Sequence, residues 1–355
     1  MLYRHRQSLR RSIGASLVVV TVVFTGVGSA AAASPTTDPA VGAKLGAAWL
    51  VARANASIPL KGFDGVADDW ALTLDAGLAL AAARVGGTTA SAIWSAFSAQ
   101  RDTALDGDNP GRIARGILLA VALGQDPRSV GSTPGADLIA RLEATRITSG
   151  SDTGLFGSID PTFDGAYRQA YALMAFRAAG VAPDPTAITW LINQQCADGS
   201  WMPYRSNLAT PCALDLGLYV GPDSNSTGAA VEALAGAAGA AASVTSGLGW
   251  LDAQQNVDGG WSFFPDTTKT PPEGTSDPNS TAIVIQALVA TGKLDDAAFN
   301  DRSAPPLALL LGFQLGCDRP AADVGALTYP GSANAANTFA TAQGVPALAG
   351  VAFPL

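Results

Sequence analysis

The side chains missing from this chain limit its chemistry more than those present. Its single histidine is His5, close to the N-terminus. If that segment is removed, Ser-His-Asp and Cys-His catalysis are excluded, and so is histidine-ligated zinc. Any reaction must then rest on carboxylates, arginine or tyrosine, and neither a metal site nor a resident cofactor is expected. The carboxylates in reach of such a role are Asp69, Asp164 and Glu232, and no motif marks one of them as catalytic. A glycosidase would need two acids about 5 to 9.5 Å apart. Trp70, Tyr167 and Tyr171 would be its aromatic platforms.

These residues sit at the heads of alanine-rich apolar segments. Asp69, Asp223, Asn225, Asp277, Asn279, Asn334 and Asn337 each stand where a helix begins, and their types suit N-caps, which accept from the free amides of the first turn. If several such helices start around one mouth, their amides and caps favour an anionic or hydroxyl-rich ligand. Further into the same helices, Tyr171, Glu232, Gln286 and Gln343 align at one depth and would face a cavity or a packed core. A buried glutamate is costly alone, and Arg115, Arg168 or a bound ligand is its expected partner. The candidate cavity set is therefore Asp69, Trp70, Tyr167, Arg168, Tyr171, Asp223, Asn225, Glu232, Asp277, Asn279 and Gln286.

The elements that carry these groups repeat. The block Trp190-Leu191-Ile192-Asn193-Gln194-Gln195-Cys196-Ala197-Asp198-Gly199-Ser200-Trp201 returns as Trp250-Leu251-Asp252-Ala253-Gln254-Gln255-Asn256-Val257-Asp258-Gly259-Gly260-Trp261. Each copy leads to a second block, Asp223-Ser224-Asn225-Ser226-Thr227 or Asp277-Pro278-Asn279-Ser280-Thr281. The spacing reads as a helix ending at the glutamines, an Asp-Gly turn, a loop and a newly capped helix. Fainter copies pair a helix from Trp49 with one from Asp69 to Gly86, Ile93–Phe97 with Arg112–Gly124, Leu138–Arg146 with Asp164–Gly180, and Leu307–Leu315 with Asn334–Gly350. That makes about six helical hairpins, with Pro346 kinking or ending the last helix. Gly86, Gly124, Gly180, Gly239, Gly292 and Gly350 fall where left-handed C-caps belong. Segment 228–239 is apolar nearly all round, as an inner helix would be. No run alternates with period two, so the fold class is all-α.

The paired Trp-Leu…Gln…Gly-x-Trp blocks resemble the Gln-Trp repeat of the squalene-cyclase and prenyltransferase superfamily. The resemblance implies an α/α toroid, an α6/α6 barrel with a central cavity over residues 44–355. It also implies that Gln195 and Gln255 bond a neighbouring helix end and that Trp190, Trp201, Trp250 and Trp261 are structural. The superfamily's catalytic signatures are absent. Val66-Ala67-Asp68-Asp69 lacks the first aspartate of the cyclase Asp-x-Asp-Asp motif, no histidine completes a prenyltransferase zinc site, and Gly316-Cys317-Asp318-Arg319 is not a thioester sequence. A non-catalytic module that binds a small hydrophobic or isoprenoid ligand or a cell-envelope component is the first expectation. An isoprenoid cyclase or a sugar hydrolase or lyase is the alternative from another class. Corrinoid binding in the manner of transcobalamin is the third.

Arg4, Arg6, Arg10 and Arg11, an apolar run from Ile13 to Val27 and Ala31-Ala32-Ala33 form the three parts of a secretory leader. Export with cleavage near Ala33 is expected, followed by a short disordered leader over 34–43. Removing those four arginines from 21 basic residues leaves 17 against 29 acidic ones, a net charge near −12. That sign excludes nucleic-acid partners. No later segment is long enough to span a membrane, and a monomer is expected. Outside the cytoplasm, Cys196 and Cys212 flank one loop and suit a disulfide, with Cys196–Cys317 the other pairing. Cys317 otherwise reads as a buried thiol.

Overall fold

A computed structural model of the chain describes residues 34–132, 134–157, 165–332 and 335–355. The expected export leader, Asp164 and Asn334 lie outside these residues.

Asp38 accepts from the amide of Ala40 and starts α1, Pro39–Ala56. The segment read as a disordered leader therefore supplies the first turn of a helix, and Trp49 lies in its middle rather than at its start. Next come α2 (Trp70–Ala83), α3 (Gly87–Ala99), α4 (Arg101–Leu105), α5 (Pro110–Ala122), α6 (Leu138–Ala144) and α7 (Ala166–Ala178). They are followed by α8 (Pro185–Asn193), α9 (Ser224–Leu234), α10 (Ala241–Ala253), α11 (Pro278–Ala290), α12 (Pro306–Gly312) and α13 (Thr338–Leu348). Helix α13 passes through Pro346 and ends two residues later. Among the described residues there is no strand, only isolated bridges such as Lys61 with Asp68.

The inner helices α2, α5, α7, α9, α11 and α13 each pack on the next, and α13 packs back on α2, which closes a ring of six. Around it, α3, α6, α8 and α10 each lie mainly on the inner helix that precedes them in the chain, α2, α5, α7 and α9, while α1 and α12 bridge α13 to its neighbours. This is the expected α/α toroid. Residue type explains the two layers. Helix α9 buries every residue from Ser226 to Leu234, whereas α10 buries only Ser243, Gly247, Trp250 and Leu251. A helix apolar all round belongs inside; one with a stripe belongs outside.

Two hydrogen-bond devices recur. Four residues past the cap of an inner helix, a threonine hydroxyl accepts the backbone N–H of the incoming loop. Thr73 does this for Leu60 at 2.8 Å, Thr227 for Trp201 at 2.9 Å, Thr281 for Trp261 at 3.1 Å and Thr341 for Leu327 at 2.9 Å. Gln169 takes the same position in α7 and accepts from Phe156. The second device is the repeat glutamine. Gln195 donates to the Gly199 and Ser243 carbonyls, and Gln255 to those of Gly259 and Phe299. Gln314 donates to Gly325 and to Gly42 in α1, so it ties the end of the ring to its beginning. Trp201 and Trp261 are fully buried and donate their indole N–H to Leu191 and Leu251. Trp190 donates to Asp152, which also accepts from Tyr204. At the Asp-Gly turns, Gly199 (φ +94) and Gly259 (φ +103) press on the next outer segment. A Cβ there would lie 2.4 Å from the Ser246 oxygen and 1.9 Å from that of Ala304, so only glycine fits.

Cys196 and Cys212 are disulfide-bonded, and Cys317 is free. Cys317 is exposed, not buried as its sequence context implied. It follows the last buried residue of the α12 turn, where the chain leaves the core.

Candidate functional site

All six inner helices run from one face of the ring to the other, so their caps share a mouth. Asp69 accepts from Leu72 N–H, Asp223 from Ser226, Asp277 from Asn279 and Ser280, Asn337 from Ala340, and Asn109 from Gly111 and Arg112. The capping roles expected of Asp69, Asp223, Asp277 and Asn337 are present. A cleft of about 310 Å³ opens where α7 and α9 begin, lined by Gly165, Tyr167, Arg168, Pro203, Asp223, Asn225, Ser226, Phe263 and Gln343; of the residues read as a cavity set, Asp69, Asp277 and Asn279 are not in its wall.

Counting from each cap resolves the interior into layers. Two residues in stand Tyr167, Asn225, Asn279 and Phe339, all half-buried. Six residues in stand Asp75, Arg115, Tyr171 and Gln343. Nine residues in stand Glu232 and Gln286, a turn deeper. The four polar groups read at one depth thus occupy two levels, because Tyr171 and Gln343 sit one turn nearer the mouth than Glu232 and Gln286.

The middle layer is a connected network. Arg115 Nε donates to Asp75 Oδ1 at 2.7 Å, and both side chains are nearly buried, at 12% and 13% exposure. The Arg115 guanidinium lies 4.3 Å from the centre of the Tyr171 ring, a cation–π contact. Tyr167 donates to the Tyr171 hydroxyl at 3.3 Å. Across the ring, Asn279 donates to Gln343 in a short bond. Burial pushes the Asp75 carboxyl above its usual range, and Arg115 opposes the shift. Burial also raises both tyrosine hydroxyls.

Two further carboxyls are shifted strongly. Burial moves Asp223 up to about 7, against the pull of the Ser226 and Asn225 amides. Burial moves Glu232 up to about 8, opposed by the Phe353 amide and Arg177. The Glu232 partner is thus neither Arg115, which is engaged by Asp75, nor Arg168. Phe353 N–H donates to Glu232 Oε1 at 2.6 Å, and the Phe353 ring lies 6.1 Å from that of Tyr171. Trp70 does not face the cleft. It is 3% exposed and packs edge-on against Phe97 of the outer helix α3. Gln286 is buried, and its amide nitrogen has no partner among the described residues.

Asp75 went unsingled in the sequence because the best repeat copies carry Ala229 and Ile283 at its register. The available signal was polarity six residues past the cap, in Asp75, Arg115, Tyr171 and Gln343 alike. Phe263 stands two residues past the repeat Trp261, as Pro203 does past Trp201, and both line the cleft, whereas Phe353 belongs to the terminal segment and has no repeat register to betray it.

No known family profile matches the chain, and no curated protein matches it by sequence. Solved structures do. A protein from Actinoplanes is 17% identical, with 88% of this chain and 98% of that one aligned at a TM-score of 0.55. The type II terpene cyclase MstE from Scytonema is 17% identical, with 89% and 98% aligned at 0.56. Unsaturated glucuronyl hydrolase from Bacillus sp. GL1 is 15% identical, with 88% and 96% aligned at 0.54. At such identity the likeness speaks for the fold alone, and the fold is an α/α toroid.

Proposed function

We propose that the protein is an exported enzyme that acts on a small hydroxyl-rich substrate by carboxylic-acid chemistry, as a sugar hydrolase or lyase, rather than a non-catalytic binding module. The observation that carries this reading is Asp75. It is a nearly buried carboxyl that caps no helix, and its partner Arg115 connects it through Tyr171 to Tyr167 of the cleft wall. A buried ion pair is a poor device for stability, because removing two charges from water offsets most of their attraction. Perturbed acids beside a cleft are where catalysis is commonly found. Asp223, three inner helices away around the ring, is the other raised carboxyl and stands in the cleft wall. The amides of Asn225, Asn279 and Gln343 with the Tyr167 hydroxyl suit hydroxyl groups, and Phe263 offers an apolar face.

A second reading, an isoprenoid cyclase, draws on the apolar side chains Leu78, Leu118 and Met174 nine residues past their caps. Type II terpene cyclase MstE has been solved with geranylgeranyl dihydroxybenzoate. The polar middle layer favours the sugar reading, since a hydrocarbon there would leave amides and hydroxyls unpaired.

The test is a turnover screen of saturated and unsaturated oligosaccharides with wild type, Asp75→Asn and the double variant Asp75→Asn with Arg115→Gln. A positioned acid contributes about 10² to 10⁴ in rate, so both variants should lose turnover by that order. The double variant should regain the thermal stability that the single one loses by stranding Arg115. Wild-type rates in folded Asp75→Asn would end this reading. Turnover of a geranylgeranyl substrate and of no sugar would replace it with the second.

A further inference from the structure

We propose that the start of α9 is a subsite for two neighbouring hydroxyl groups of a neutral saccharide, with Asp223 and Asn225 as their acceptors. The inference rests on the cleft being the substrate site and names what that site selects.

Asp223 is 0% exposed. Its Oδ1 accepts from Ser226 N–H at 2.7 Å, which completes the helix cap. Among the described residues, its Oδ2 is buried with no partner, and so is Oδ1 of Asn225. Both residues line the cleft, beside Ser226, Tyr167 and Phe263. Capping therefore accounts for one oxygen of Asp223 and leaves the other unexplained. Buried polar groups almost always have partners, and an exception calls for a cause. Two lone acceptors two residues apart on one cleft wall call for the same cause, a ligand that brings donors.

The surroundings narrow the donor. A quaternary ammonium has no N–H to give either oxygen. Two acceptors side by side disfavour an anion. A hydrocarbon would leave both oxygens unpaired. A neutral ring with adjacent hydroxyls donates to both and can lay its C–H face on Phe263. The cleft, about 310 Å³, lies at the small end of small-molecule sites, about 300 to 1,000 Å³, which suits one or two sugar rings.

Asp223→Asn separates the two duties of this residue. Asparagine caps as well as aspartate, but it can place an NH₂ donor where Oδ2 was an acceptor. The experiment is calorimetric titration at pH 8, where the Asp223 carboxyl is mostly ionised, of the whole protein, its Asp223→Asn variant and its Asn225→Ala variant with cellobiose, xylobiose and chitobiose. Benzyltrimethylammonium and geranylgeraniol are the contrasting probes. At least one disaccharide should bind wild type, and each variant should weaken it about tenfold or more, the loss of one hydrogen bond to a buried acceptor. The melting temperature of Asp223→Asn should not fall. Unchanged disaccharide affinity in Asp223→Asn, binding of the ammonium or isoprenoid probe alone, or no binding at all would overturn the subsite. Disaccharide binding lost in Asp223→Asn without turnover of any sugar would sustain the subsite and end the enzyme reading. Turnover indifferent to Asp223→Asn would do the reverse.

Discussion

At the scale of single residues, Asp223 and Glu232 make stability depend on pH in a definite direction. Their folded-state values, about 7 and about 8, lie above those of an unfolded carboxyl, near 4. The folded state therefore holds protons that the unfolded state has released. The resulting stability is fully present below about pH 4 and is lost as pH rises through 7 and 8. Asp75 is shifted the same way. Asp102, held at about 2 by its bonds to Arg101 and Arg141, acts with the opposite sign and only in acid. For two buried groups the loss is on the order of several kcal/mol. The melting temperature should thus fall between pH 5 and pH 8.5, and the double variant Asp223→Asn with Glu232→Gln should flatten the slope. A profile already flat in wild type would contradict their burial. The sequence announced that Glu232 would need a partner, since its helix is otherwise apolar. It did not announce Phe353, because a backbone N–H from a terminal segment has no side-chain signature.

At the scale of elements, the glutamine that closes the ring offers the sharpest test. Gln314 bonds Gly42 and Gly325 just as Gln255 bonds Phe299 and Gly259. Each substitution to alanine strands two carbonyls in the core at roughly 1 to 3 kcal/mol apiece. We expect Gln314→Ala and Gln255→Ala to lose similar stability in urea unfolding, although only Gln255 lies in a well-conserved copy of the internal repeat. A Gln314→Ala variant as stable as wild type would mean that α1 needs no such tie to the ring. Legibility followed the same physics. Asp69, Asp223, Asp277 and Asn337 were readable as caps because the first turn of a helix has unpaired amides. Gly124, Gly180, Gly292 and Gly350 follow helix C-caps with positive φ as expected, but at the end of α2 Arg84 takes the left-handed cap and Gly86 starts α3, while Gly239 lies beyond α9, which ends at Leu234 and turns first at Gly236. The start of α1 was not readable, since Asp38-Pro39 precedes an alanine- and glycine-rich stretch that looks as much like a linker as a helix.

At the scale of the whole molecule, six hairpins were legible as a closed ring because an inner helix apolar on every side can be buried only by neighbours on every side. The middle-layer network was not, since Asp75, Arg115 and Tyr171 belong to three successive hairpins and meet only when their inner helices pack side by side. We also propose that the molecule is exported, and its cysteines give that proposal a direct readout. The Cys196–Cys212 bond closes a loop whose ends are 16 residues apart. Such a closure is worth about 3 kcal/mol on chain-entropy grounds, but only where an oxidising compartment lets it persist. The exposed Cys317 has no partner in the fold. Protein recovered from the medium should therefore begin near Ser34 and titrate one thiol before and after denaturation. The same chain made without residues 1–33 in a reducing cytoplasm should titrate three when denatured, and proteases should cut it within 203–222. Three thiols in protein from the medium would remove the staple, and an intact leader would remove the case for export.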